Sequence, residues 1–120
     1  MAKLGDFLKS INTLRPLKNG WLEGRGVAPS HEGLDWLLLA FTEHYPEDLP
    51  LPFFYPTEDG GVRAEWSLEP HEVSLDINLT THAAEWHVLN TETEAEAFKT
   101  LNLNEANDWK WLISSNTGIA

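Results

Sequence analysis

Apolar residues recur along this chain with two different periods. Leu4, Phe7, Leu8, Ile11 and Leu14 follow helical spacing and predict a first helix that ends before Pro16. A glycine-punctuated loop follows, Asn19-Gly20-Trp21-Leu22-Glu23-Gly24-Arg25-Gly26. Ser30 stands where a helix N-cap belongs, and Leu34, Leu37, Leu38 and Phe41 mark the buried face of a second helix stopped by Pro46. From Val62 onward the period changes to two. Val62, Ala64, Trp66 and Leu68 alternate with polar residues, as do Val73, Leu75, Ile77 and Leu79, and then Ala84, Trp86 and Val88.

These runs predict three antiparallel strands, each with one buried face, joined by short connectors. Glu58-Asp59-Gly60-Gly61 is a tight-turn signal that adds Phe53–Tyr55 as a short edge partner. Thr93-Glu94-Ala95-Glu96 has the form of a capping box and predicts a helix containing Ala97, Phe98 and Leu101. A last helix is expected from about Asn104, carrying Trp109, Trp111 and Leu112, with a frayed tail from Ser114. The expected fold class is α+β: an antiparallel meander of three to four strands. Two N-terminal helices and one or two C-terminal helices are expected to pack on one face of it. The pattern shows no internal repeat.

Composition narrows the setting. The 120 residues, 42% of them hydrophobic, suit one domain spanning 1–120 that hides roughly two-thirds of its unfolded surface. With no cysteine, disulfides, thiolate metal sites and cysteine nucleophiles are excluded. No apolar run reaches the ~18 residues of a membrane span, and Met1–Asp6 lacks a signal-peptide core. The expected location is the cytoplasm, with no membrane partner.

Charge changes the picture further, because it is unevenly spread. Residues 1–30 carry five Lys and Arg against two carboxylates, whereas residues 31–120 carry three against 17. Direct binding to a nucleic-acid backbone requires Lys and Arg to displace counterions, so it is not expected of the acidic part. Such a surface either keeps the protein soluble or attracts a basic protein partner.

Candidate chemistry is sparse. If Trp66 lies opposite Leu75 and Ile77 opposite Trp86, the outer sheet face gains a row Glu65–Asp76–His87, which could transfer protons or hold a divalent metal. A cross-strand His–Asp pair that merely offsets charge is the plainer alternative. His31, His44, His71 and His82 lack zinc-site spacing, and no serine sits in a Gly-x-Ser-x-Gly elbow. The Gly20–Gly26 spacing is neither a dinucleotide fingerprint nor a P-loop, and Glu23 would repel a phosphate. No cofactor is expected.

The six tryptophans divide into core and surface candidates. Trp66 and Trp86 are in phase with the buried strand face, and Trp36 lies beside the apolar stripe of the second helix. Trp109 and Trp111 point about 200° apart on a helix, so one of them, or Trp21, is the candidate exposed anchor. Phe53 and Tyr55, beside Arg63 and Glu65, complete a candidate patch of aromatics amid carboxylates.

Between Gly20 and Trp66 the chain resembles a recurrent pattern of small bacterial proteins without an established activity. Its marks are Gly20-Trp21, Gly24-Arg25-Gly26 and the block Pro56-Thr57-Glu58-Asp59-Gly60-Gly61-Val62-Arg63-Ala64-Glu65-Trp66. The resemblance implies the fold and a bacterial or phage origin, and it carries no catalytic residue.

The functional expectation is therefore a non-catalytic acidic module that occludes a basic protein. It would act in the manner of an antitoxin, immunity protein or phage inhibitor, with nucleic-acid mimicry as a special case. Its partner-binding candidates are Trp21, Phe53, Tyr55, Glu65, Asp76, Trp109 and Trp111. Two alternatives are a small metal-dependent hydrolase on the outer sheet face and a small-molecule pocket between the Gly20–Gly26 loop and the Pro50–Pro56 segment.

Overall fold

The computed structural model describes residues 2–119, with side chains from residue 5 onward. Two helices come first, α1 (Ala2–Asn12) and α2 (His31–His44). Five strands follow, β1 (Phe53–Pro56), β2 (Val62–Leu68), β3 (His71–Ile77), β4 (Ala83–Asn90) and β5 (Glu96–Asn102), and the helix α3 (Ala106–Ile119) closes the order. The strands form one antiparallel sheet in sequence order, β1-β2-β3-β4-β5. The fold is α+β, with five strands and three helices.

The local signals for the first half hold. Ser30 caps α2, its Oγ accepting the Gly33 N–H at 2.9 Å. Phe7 and Ile11 of α1 and Leu14 just beyond it are buried, while Leu8 is 40% exposed. The expected burial of Leu4 concerns a side chain outside the described residues. β2 and β3 alternate as their period requires, burying Val62, Ala64, Trp66, Leu68, Val73, Leu75 and Ile77. Each helix brings an aromatic ring to buried strand residues. Phe7 and Phe41 meet Phe54, Tyr45 at the α2 C-cap meets Trp66, and Trp111 meets Trp86 edge-on.

The helix expected from Thr93 is instead β5. Asn90 takes the decisive part. Its Oδ1 accepts the N–H groups of Glu92 and Thr93, and its backbone carbonyl accepts the Glu94 N–H. Glu94 adopts φ 63°, and the Thr93 hydroxyl accepts the Ala95 N–H. The Thr93 oxygen therefore closes a hairpin rather than capping a helix, and the chain returns along β4.

The β3–β4 connector is built the same way. Asn78 Oδ1 accepts the N–H groups of Thr80 and Thr81, its carbonyl accepts the His82 N–H, His82 has φ 67°, and Thr81 Oγ1 accepts the Ala83 N–H. Asn-x-x-Thr-x-Ala thus occurs at 78–83 and again at 90–95, twelve residues apart. The same spacing leads on to Asn102, whose Oδ1 accepts the Asn104 N–H at the entrance to α3. A short structural repeat is present where none was expected, because it lies in turn chemistry rather than in the apolar pattern.

α3 continues through Ile119, so the tail beyond Ser114 is helical rather than frayed. Helicity there is tied to a buried polar contact. Asn116, 3% exposed, accepts the Trp86 indole N–H at 3.1 Å. Burial raises the Tyr45 phenol pKa, and hydrogen bonds to Asn116 and Trp66 partly offset that rise. The Trp66 Nε1 and Asn116 Nδ2 atoms have no other partner.

Asn116→Leu should therefore destabilise the protein by about 1–3 kcal/mol, the cost of orphaning buried donors. A urea titration followed by tryptophan fluorescence reads this loss. An unchanged midpoint would show that the contact contributes nothing.

Candidate functional site

Pairing registers decide which side chains share the outer face. The β2–β3 connection is two residues, Glu69-Pro70, so Leu68 pairs with His71 and Arg63 with Asp76. Asn78 ends β3 at Ile77, so Ile77 pairs with Ala84, Leu75 with Trp86 and Asp76 with Glu85. Leu79, expected on the strand, instead packs its side chain against Gly33 of α2, where an added Cβ would lie 2.7 Å from Leu79 Cβ. Both registers differ by two residues from the sequence expectation. The row Glu65–Asp76–His87 is not assembled.

Three other rows cross the sheet. The first is Tyr55–Arg63–Asp76–Glu85–Thr100, the second Phe53–Glu65–Ser74–His87–Phe98, and the third Ser67–Glu72–Leu89–Glu96. Asp76 is held by Arg63 through two bonds, Nε to Oδ1 at 2.6 Å and Nη2 to Oδ2 at 3.0 Å. That contact also raises the Arg63 pKa. Glu65 lies 3.9 Å from the same guanidinium. His87 turns away from both, placing Nε2 2.9 Å from Glu96 Oε1 and its ring on Phe98 at 4.6 Å. Among the described residues no group of three or more His, Asp or Glu is arranged to hold a metal ion.

Arg63, Asp76, Glu85 and Thr100 of the first row line a depression of about 480 Å³ at one end of this face. Glu58, Asp59, Asp76 and Glu85 contribute carboxylates to its lining, against the single guanidinium of Arg63. The Thr57–Gly61 turn forms one wall. Asp59 is fixed there by the Thr57 hydroxyl and the Gly61 N–H, and both bonds hold its pKa below the usual value. The glycine loop braces this wall from behind: the Val27 N–H donates to the Glu58 carbonyl at 2.7 Å, and Arg25 stands 4.0 Å from the Glu58 carboxylate.

Aromatic residues flank the charged centre on both sides. Phe53 is 69% exposed and Tyr55 46%, both on β1, and Phe98 is 63% exposed on β5. Phe53 and Tyr55 pair with Glu65 and Arg63, as the Glu58–Gly61 turn implies. Phe98 escaped the sequence analysis because its segment was assigned to a helix. The repeated Asn-x-x-Thr-x-Ala loop is the signal that would have placed it.

The three tryptophans proposed as anchors are all engaged elsewhere. Trp21 covers the glycine loop, donating Nε1–H to the Val27 carbonyl at 3.1 Å. An added Cβ on Gly26, whose φ is +93°, would lie 2.9 Å from Trp21 Nε1. Trp109 is 1% exposed, bonded to the Leu103 carbonyl and stacked on His44. Trp111 is partly buried against Trp86, with Lys99 Nζ 5.5 Å above its ring. The two rings do point apart, yet both meet apolar surface, because α3 lies between α2 and β4. Trp21 lines neither the depression on the outer face nor the one beside the Asn78–Thr81 loop.

No protein-family model matches the chain, and neither the curated proteins nor the solved structures contain a match to it. Among the described residues no helix is long and apolar enough to cross a membrane.

The lowered Asp59 pKa has a defined sign. A carboxylate whose folded value lies below its unfolded value of about 3.9 stabilises the fold above that value. The contribution is lost as the pH falls through the folded value. A carbonyl-carbon NMR titration should show Asp59 titrating below the usual range, and Thr57→Val should move its midpoint up. An unmoved midpoint would separate Asp59 from the Thr57 hydroxyl.

Proposed function

We propose that the outer face of the sheet is a docking surface for a basic protein segment, and that the chain acts by occluding that partner rather than by catalysis. The observation that carries this reading is the composition of the face. Glu65, Glu72, Asp76, Glu85 and Glu96 project from it with Arg63 as the one Lys or Arg on that face, since Lys99 of β5 lies on the opposite face over Trp111, and exposed aromatics stand at both edges. Acidic residues at the centre recruit and orient a cationic partner, and complementary charge speeds association. The aromatics supply the apolar contact that charge alone does not.

Within this reading Arg63 has a positioning part. It fixes Asp76 and approaches Glu65, leaving Glu85 without an ion-pair partner among the described residues. Glu85 is exposed and lines the depression. It is the carboxylate on this face best suited to receive a guanidinium or ammonium group. A partner bound there would contact Phe53 and Tyr55 on one side or Phe98 on the other. Nucleic-acid mimicry, in which carboxylates occupy phosphate positions, is a special case of the same charge arrangement. A cytoplasmic location and a bacterial or phage setting belong to the same proposal.

Capture from lysate of the native host tests it, provided variants accompany the wild type. The wild-type protein should retain a stoichiometric basic protein at moderate salt. Glu65→Lys with Glu85→Lys should reduce that capture about tenfold or more, whereas Glu32→Lys with Glu43→Lys, an equal reversal at exposed positions of α2, should leave it intact. Equal loss in both variants would mean that net charge, not this face, is responsible. Failure to retain any basic protein would overturn the reading.

A further inference from the structure

The two edges of the sheet differ in how they are protected. β1 is four residues long and lies among prolines: Pro50 and Pro52 precede its N-terminus, and Pro56 is its last residue. Proline removes a ladder donor and blunts an edge. β5 is seven residues long, has no proline, and is exposed from Glu96 through Thr100.

The free backbone groups of β5 can be assigned individually. The Leu103 N–H donates to the His82 carbonyl, and the Asn90 N–H to the Ala95 carbonyl. In an antiparallel ladder bonded pairs alternate, so the odd-numbered residues of β5 bond to β4. The N–H and C=O groups of Glu96, Phe98 and Thr100 therefore point outward. Asn102 also points outward, and its N–H is taken by Asp108 Oδ2 at 2.7 Å. The usable edge is bounded at that end and is centred on Phe98.

We propose that two copies of this chain pair antiparallel through β5, with Phe98 opposite Phe98 of the partner subunit, to form a continuous ten-stranded sheet. Only this register makes full use of the edge. It joins Phe98 to the partner's Phe98, Glu96 to the partner's Thr100 and Thr100 to the partner's Glu96, two backbone bonds at each pair. It sets Lys99 against the partner's Ala97, a small residue that leaves room for the long side chain. Shifting by one step toward the C-terminus would oppose the two Lys99 side chains at a closely spaced pair and call on the Asn102 N–H already held by Asp108. Shifting the other way loses two of the six bonds. The exposed Phe98 rings, each already resting on its own His87, meet at the two-fold axis.

Charge opposes association and predicts how it will respond to salt. Each copy carries −11, and the molecule measures 37 × 33 × 24 Å. At about 0.15 M salt the Debye length is about 8 Å and the repulsion between the two bodies is largely screened, whereas at about 0.01 M it extends about 30 Å. Dimerisation through β5 should strengthen as salt rises. Binding of a basic protein should weaken, so the two proposals respond to salt in opposite directions and fail independently.

Sedimentation velocity over a protein concentration series up to about 1 mM, at about 0.01 M and about 0.5 M salt, tests the pairing. The expected result is a monomer–dimer equilibrium that shifts toward dimer at high salt. Phe98→Asp and Thr100→Pro should each abolish it. Neither should unfold the monomer, since Phe98 is exposed and the Thr100 N–H points away from β4. A chain that stays monomeric throughout would overturn the proposal and leave the edge to an extended segment of another protein. A dimer indifferent to both replacements would equally overturn it, by placing the contact elsewhere.

Discussion

Asn78 and Asn90 each end a strand by offering a side-chain oxygen to two backbone N–H groups, and the register of the meander follows from where they do so. A strand shifted by one residue would turn its apolar residues outward. A shift by two keeps the core intact and changes only which polar residues are neighbours. The apolar pattern is blind to that second kind of shift. The asparagine turns are not, because each fixes the last paired residue of its strand. Asp76 consequently lies opposite Glu85 rather than His87, and the two-residue Glu69-Pro70 connection sets it opposite Arg63 rather than Glu65.

The consequence for chemistry is direct. In the register that occurs, the carboxylate with a firm partner is Asp76, and His87, the histidine of the expected acid–base row, is drawn to Glu96 and Phe98. What remains is a face with a surplus of negative charge, a shallow depression beside a braced turn, and aromatic rings at both margins. These are the properties on which the proposed docking of a basic partner rests. The basic N-terminal segment contributes Arg25 beside Glu58 at the rim, so part of the charge asymmetry along the chain is balanced locally.

Much of the fold was legible from the sequence. The Ser30 cap, the alternation of Val62–Leu68 and of His71–Ile77, and the glycine turn before Val62 all form as their local chemistry dictates. The part that was not legible depends on competition between equally good local options. Thr93-Glu94-Ala95-Glu96 satisfies a capping box, but the Thr93 hydroxyl is committed to the Ala95 N–H once Asn90 closes the loop. Trp109 and Trp111 cannot face one plane, yet Phe41 and His44 receive one ring and Trp86 the other, so a two-sided helix is buried without an exposed anchor. Of the residues proposed from sequence, Phe53, Tyr55, Glu65 and Asp76 share the outer face. Trp21, Trp109 and Trp111 serve the loop and the core, because an indole N–H finds a backbone carbonyl in two of those three places.

Cross-strand contacts between Hα protons test the account most directly, since they are short only at the narrow pairs of an antiparallel ladder. The registers described place Leu75 opposite Trp86 and His87 opposite Phe98 at such pairs, so a NOESY spectrum should contain both Hα–Hα contacts. A contact from Trp86 to Ile77 in place of Leu75, or helical contacts from Phe98 to Leu101, would contradict the register and dissolve the face on which the functional reading rests.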